Sequence, residues 1–325
     1  MRNDRPSAHN NLGLSYFEND EFEEALIHYK KAIDLEQSSV HYNNRGLAFY
    51  HFDKLEEAAA DFEKAIELDP EDSTIYFNLG NVYLNWKKSK DAHGNEIDKF
   101  DEAIYRYDKA LEKKRDNVKV LHAKGLTYQG KAELHKQKMS EMKEISHQEK
   151  EYLMKIYMDL NQKAINGYKE ALSVQEDFVS SRFHLGLIYH RINNFHEALK
   201  CFSKVLINIK DDKTVYIARG VVYQDMGNHP LAISDFNSAI ELDLDLSEGY
   251  FRRGFSKFYL QNYNEAIEDF KEAAKKELLH EETDPNLIKN AGIPDGLGCC
   301  YHAQGKYIDA IDNYNQAISM DPTNT

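Results

Sequence analysis

The chain has 325 residues, 42% of them hydrophobic and 30% charged, with 6 prolines and a formal net charge of −14. That balance argues against a nucleic-acid partner, which needs clustered Lys and Arg for its phosphates, and no apolar run approaches the roughly 18–20 residues that cross a bilayer. The opening stretch MRNDRPSAHNN has no hydrophobic core of a secretory signal. Cys201, Cys299 and Cys300 have neither disulfide-framework nor metal spacing. Small buried thiols in a reducing, cytoplasmic setting are the expectation.

In chain order, the first unit (about 6–38) is two helices around the charged turn Glu18-Asn19-Asp20-Glu21. It ends at Gln37-Ser38-Ser39 without a proline, so the serines are expected to cap the next helix. The second unit, 39–72, sets apolar runs at helical spacing, Tyr42–Phe49 and Ala58–Leu68, on either side of a polar break, and Pro70 stops its second helix. The third, 73–117, carries about eleven extra residues between its helices at 85–96, with a turn signal at His93-Gly94-Asn95. Trp86, the one tryptophan, stands at the root of that insertion, as a packing anchor or as a ligand-facing hot spot. The fourth, 118–178, is interrupted more deeply, around 130–160. Leu134, Met139, Met142 and Ile145, then Tyr152, Leu153, Ile156, Tyr157 and Leu160, recur at helical spacing, so both helices are expected to lengthen into an antiparallel hairpin. Each arm gains roughly 13 residues, a spur on the order of 20 Å at 1.5 Å per residue. Units at 179–212, 213–246 and 247–280 run without gaps. A linker at 281–290 containing Pro285 precedes the last unit, 291–324, which ends near Pro322.

A shared register ties these units together. Glycines fall at Gly13, Gly46, Gly80, Gly125, Gly186, Gly220, Gly254 and Gly298, and the uninterrupted steps are 33 or 34 residues. Behind each comes a small–aromatic–small trio, such as Ala25/Tyr29/Ala32, Ala58/Phe62/Ala65 and Ala266/Phe270/Ala273. This pattern resembles the tetratricopeptide repeat family, over nearly the whole chain. The resemblance implies an all-α, right-handed α-solenoid of eight helix–turn–helix repeats forming a single array, because one short pair cannot bury its apolar faces alone.

The resemblance also implies a concave groove lined by first helices, with residues near each glycine facing it. Asn11, Asn44 and Asn78 stand two residues before the glycine in consecutive units, similar to the amide ladder of the O-GlcNAc transferase repeat domain, and Asn81 joins them as a groove candidate. A primary amide offers a donor and an acceptor that match a peptide main chain; asparagines also simply suit exposed helix surfaces near turns. In the second half, Phe183, His184, Arg191, Arg252 and Phe255, with His190, Phe251 and Phe258 beside them, would make an aromatic and cationic wall for acidic and apolar anchors. The phenylalanines fit the inter-repeat core equally well. The clamp with which some family members grip acidic chaperone tails is absent: Asn44 fits its middle slot, but Asn10, Leu14, Phe77 and Asn81 occupy the flanking ones.

Nothing in the sequence has the spacing of a catalytic constellation, a phosphate loop or a metal site, and no cofactor is implied. The expected function is therefore a non-catalytic scaffold that holds an extended or helical segment of a partner protein. The alternatives are the substrate-recruiting region of a larger enzyme, or a structural subunit of a cytoskeletal or ciliary assembly. A second partner is expected at the spur or at the final helix, where Ile308, Ile311, Tyr314 and Ile318 have no following helix to cover them. That uncovered face implies a fragment, or a chain completed by another.

Overall fold

The computed structural model describes residues 5–86, 89–90, 96–97, 99–142, 146–281 and 290–321. The described elements are helices joined by short turns, apart from one two-residue antiparallel pair, β1 (Ser89–Lys90) with β2 (Glu96–Ile97). The helices run α1 (Pro6–Glu18), α2 (Phe22–Leu35), α3 (Ser39–His51), α4 (Leu55–Leu68) and α5 (Ser73–Asn85), then, after the β pair, α6 (Phe100–Lys113), α7 (Val118–Glu141) and α8 (His147–Val174). They continue as α9 (Val179–Arg191), α10 (Phe195–Asn208), α11 (Lys213–Asp225), α12 (His229–Leu242), α13 (Ser247–Tyr259), α14 (Tyr263–Glu281), α15 (Gly292–Ala303) and α16 (Tyr307–Met320). Contacts divide the chain into two compact units, Met1–Ser181 and Arg182–Thr325.

Within each unit the pairing follows from the register glycine. Tyr107, fully buried, lies so close to α5 that a Cβ on Gly80 would come within 2.5 Å of its ring. A second device lies at the turn inside the six pairs without an insertion: seven residues after the glycine the backbone is left-handed, at Asp20, Asp53, Asn193, Gly227, Gln261 and Gly305. Asp and Asn tolerate that conformation, glycine adopts it freely, and Gln261 does neither.

Several helix starts are fixed by side-chain caps. Asp72, Asn117 and Asp212 accept from backbone N–H groups two residues on, and Ser146 forms a reciprocal capping box with Glu149. The serine cap expected for α3 does not form: Ser38 holds the position without a capping bond, and the His41 ring instead bonds the Glu36 carbonyl at 2.9 Å, with Nδ1 as donor. Helix α4 ends at Leu68, just ahead of Pro70.

In the first unit α2 packs on α3, α4 on α5, and α6 on α7. Helices α7 and α8 are 24 and 28 residues long, against 13 and 14 for α3 and α4, and pack on each other. Ala132, Tyr157 and Leu160 form a small core along their extension, and His135 Nε2 meets the Leu153 carbonyl at 3.0 Å. At the third-unit insertion, Trp86 packs against the core, its ring stacked on Tyr83 and the Lys99 ammonium 3.5 Å from its centroid. The turn signal at His93–Asn95, the Pro285 linker and the segment from Pro322 lie outside the described residues. In the second unit α10 packs on α11, α12 on α13, and α14 on α15.

A recurring ion pair stitches three of the helix pairs, α3–α4, α11–α12 and α13–α14. In these three the residue before the glycine is an arginine that forks onto a buried aspartate just ahead of the core aromatic. Arg45 pairs with Asp61 at 2.7 and 2.8 Å, Arg219 with Asp235 at 2.8 and 2.7 Å, and Arg253 with Asp269 at 2.9 and 2.6 Å. Arg219 also reaches Ser203, and Arg253 reaches Asn237, on the second helix of the preceding pair. The bidentate bond to the carboxylate is the largest effect raising the Arg45 and Arg219 pKa values.

Candidate functional site

Two of the three asparagines expected in the ladder bond to amides one position over on the preceding first helix. Asn44 Nδ2 donates to Asn10 Oδ1 at 3.0 Å, and Asn78 Nδ2 donates to Asn43 Oδ1 at 2.9 Å. Asn10 is buried and Asn11 is exposed. A side chain two residues before one glycine thus meets the residue three before the previous glycine. Asn44 and Asn78 each spend a donor on a neighbouring amide. Asn81 Oδ1 accepts from the Tyr107 hydroxyl at 2.8 Å, satisfying a phenol held in the core.

The second-unit candidates separate into two groups. On α9, the Phe183 ring lies 5.8 Å from His184 and 5.7 Å from the buried Phe202. Burial first, then the Arg191 charge, hold the His184 pKa below its ordinary value. On α13, Phe251, Arg252, Phe255 and Tyr259 line a cleft of 550 Å³ with Gln224, Asp225, Gly227 and His229 from the end of α11 and the start of α12. Phe251, Phe255 and Tyr259 recur every fourth residue, so they share one helix face. Phe251 and Phe255 meet edge to face at 5.0 Å, and the His229 ring lies flat on Tyr259 at 4.8 Å.

Polar groups of the cleft have defined orientations. Gln224 Nε2 donates to the Arg252 carbonyl at 3.2 Å and to Ser256 Oγ at 3.0 Å. Asp225 takes the His190 Nε2 contact at 2.6 Å. The Arg252 guanidinium, about one third exposed, makes long 3.4 Å contacts from Nε and one terminal nitrogen to Glu248 on its own helix and lies 6.0 Å from the Phe251 ring centroid. The cleft is thus an aromatic floor with a cation at its rim. Gln224, Gly227, His229 and Tyr259 were not singled out in the sequence. Their approach to α13 is tertiary, and only the repeat register, applied to the turn ahead of α12, could have pointed to them.

Burial pushes the Cys300 thiol up to about 12, so it is a packing group at neutral pH and not a thiolate. Among the described residues, no group of three or more His, Cys, Asp or Glu could hold a metal ion, and no helix is long and apolar enough to cross a membrane.

Stacked helix pairs with a glycine–aromatic register define a helical repeat protein. Models described as tetratricopeptide repeat or TPR repeat match residues 6–39, 46–85, 179–206, 214–246, 247–275 and 296–324, and the chain belongs to the tetratricopeptide repeat family. Among solved structures it is similar to a tetratricopeptide repeat protein from Parabacteroides merdae ATCC 43184, with TM-score 0.56 and 17% identity over 91% of this chain and 98% of that one. It is also similar to a chain of the APC/C Cut9–Hcn1 hetero-tetramer, with TM-score 0.53 and 13% identity over 96% of this chain and 52% of that one. MamA protein matches with TM-score 0.50 and 21% identity, over 68% and 99%. Identities this low carry the fold alone. No curated protein matches the sequence.

Proposed function

We propose that the chain is a non-catalytic protein-interaction scaffold, and that the α11–α13 cleft anchors a segment of its partner. The observation that carries this reading is an open concavity joining three aromatic side chains to the rim guanidinium of Arg252. Such a site suits an apolar or aromatic side chain next to an acidic one: the ring faces bury the first, and Arg252 pairs with the second. The first-unit amides are secondary here. Their mutual bonds brace α1, α3 and α5, and a further bond to a partner main chain is worth only about 1 kcal/mol net. They orient a ligand without supplying its affinity, whereas a micromolar complex needs about 8 kcal/mol.

The test uses the full chain and two fluorescent peptide pools of about twelve residues, one with aromatic–acidic pairs and one with the acids replaced by lysine. The acidic pool is expected to bind, and Arg252→Glu to weaken it at least about tenfold, as loss of a hot-spot residue does. Tyr259→Ala probes the floor without touching the Phe255–Phe270 core contact. Equal binding of the two pools, or unchanged binding by both variants, contradicts the proposal.

A further inference from the structure

The register shows how one repeat covers the next, and two helices present the halves of that interface uncovered. Positions five before and two after the glycine are buried in first helices that follow another pair: Ile75 and Val82, Val120 and Thr127, Val215 and Val222, Ile293 and Cys300. In α13 they are Gly249 and Ser256, and a Cβ on Gly249 would come within 2.8 Å of Ile240 on α12. Ile240 lies twenty residues after its own glycine, and its equivalents Ile33 and Leu206 are likewise 7% and 8% exposed. The same position in α16 is Ile318, 60% exposed. Thirteen after the glycine, Ala59 and Ile267 are buried, whereas Ile311 is 57% exposed.

The complementary half is on α1, which has no helix ahead of it among the described residues. Its covered-type positions are Ala8 and Ser15, both exposed, and they match the small pair Gly249/Ser256 that receives Ile240 inside the array. Between them stands exposed Leu12, where α3, α11 and α13 carry the ion-paired Arg45, Arg219 and Arg253. The strip Ala8–Leu12–Ser15 is uncharged, small at its ends and apolar at its centre.

We propose that the α16 face of one chain seats the α1 face of a second copy, reproducing the internal repeat-to-repeat contact between molecules. Such a contact is heterologous, so each added copy leaves one face of each kind open, and association continues until a ring closes. The driving surface is apolar while both molecules carry a net charge of −14. Association therefore tightens as salt screens the repulsion.

Ile308 supplies the control. It is the most exposed isoleucine of α16, at 78%, yet its position holds Glu23, Glu56 and Asn264 in other pairs. Where it meets the next pair it does so by a polar bond, Asn264 Oδ1 accepting from Gln304 Nε2 at 2.8 Å, so the apolar part of the internal contact does not use it. Sedimentation velocity of the full chain, from about 1 to 200 µM, spans the range in which contacts of this size associate. Mass is expected to rise with concentration in the wild type and in Ile308→Lys, and to stay at the monomer in Ile318→Lys and in Ala8→Arg, each checked for native helicity. Mixing Ile318→Lys with Ala8→Arg restores one intact interface and is expected to give a dimer and nothing larger. A monomeric wild type overturns the proposal. So does self-association of Ala8→Arg comparable to wild type, the signature of an α16-to-α16 contact, or loss of association in Ile308→Lys, the signature of a nonspecific apolar patch.

Discussion

In α1, α3 and α5 the two positions three and two residues ahead of the glycine carry Asn10/Asn11, Asn43/Asn44 and Phe77/Asn78, and their amides bond to one another. In α13 the same two positions carry Phe251 and Arg252, which line an open cleft. Backbone register and core are the same in both regions, so these side chains decide whether the first-helix surface closes on itself or stays open. The residues at and behind the glycine hold the stack, and those just ahead of it are available for other work.

The largest expected effect tests whether the frame is common to both regions. Asp269→Ala leaves Arg253 and Lys257 facing an empty carboxylate site, and Asp61→Ala does the same to Arg45. Removing one partner of a mostly buried pair costs about 3–5 kcal/mol. Urea unfolding should show a large loss for both variants, the greater for Asp269→Ala, which strands Arg253 and leaves Lys257 only its longer 3.5 Å pair with Glu265. A near-neutral result in either region would mean that the frame differs between them.

The next contrast separates brace from rim. Asn44→Ala removes an amide bonded to Asn10 and is expected to cost about 1–2 kcal/mol of stability. Arg252→Ala, which loses long, half-exposed contacts to Glu248 on its own helix, should stay within about 0.5 kcal/mol while weakening the acidic peptide pool. A reversed order of these two melts would break the distinction drawn here.

A third expectation concerns pH. The His184 pKa is lowered in the folded chain, by burial first and by Arg191 second, from an ordinary value of 6.5. The unfolded chain therefore takes up that proton more readily than the folded one. Stability from this group is complete above about pH 6.5 and declines as pH falls below it. His28 in the first unit is lowered too, by burial and then by Lys31 and His9, so both regions lose stability on acidification. Local exchange protection around α9 in His184→Gln should vary less between pH 7.5 and 5.5 than in the wild type; an unchanged slope removes His184 as a cause.

The smallest effect lies in the turns. Gln261 is held at φ 65°, so Gln261→Gly is expected to add up to about 1 kcal/mol, whereas Asp53→Gly, at φ 58°, should gain less because aspartate tolerates the conformation. Thermal melts of the two variants give the comparison.

Much of this architecture is readable from residues, because some contacts leave no choice of side chain. A Cβ on Gly80 would come within 2.5 Å of the Tyr107 ring, so the glycine and the aromatic recur together at fixed spacing. The Arg–Asp ties were equally present in the sequence, as Arg45-Gly46 with Asp61-Phe62, Arg219-Gly220 with Asp235-Phe236, and Arg253-Gly254 with Asp269-Phe270. A search for charge at that spacing finds them. The candidate site was only half legible. Arg252 and Phe255 follow from register, but the His229–Tyr259 stack depends on how a turn in one pair approaches the helix of the next. The amide-to-amide contacts of the asparagines were not legible, because successive first helices meet at offset positions: Asn44 touches Asn10, and Asn78 touches Asn43.

The central claim, that recognition belongs to the α11–α13 surface while the α1–α3–α5 surface is braced, is tested most directly by hydrogen exchange of the full chain with and without saturating aromatic–acidic peptide. The account predicts added protection in segments covering 224–229 and 251–259, with little change over 6–51 and 73–85. Protection concentrated on α1, α3 and α5, with the α13 segment unchanged, would contradict it.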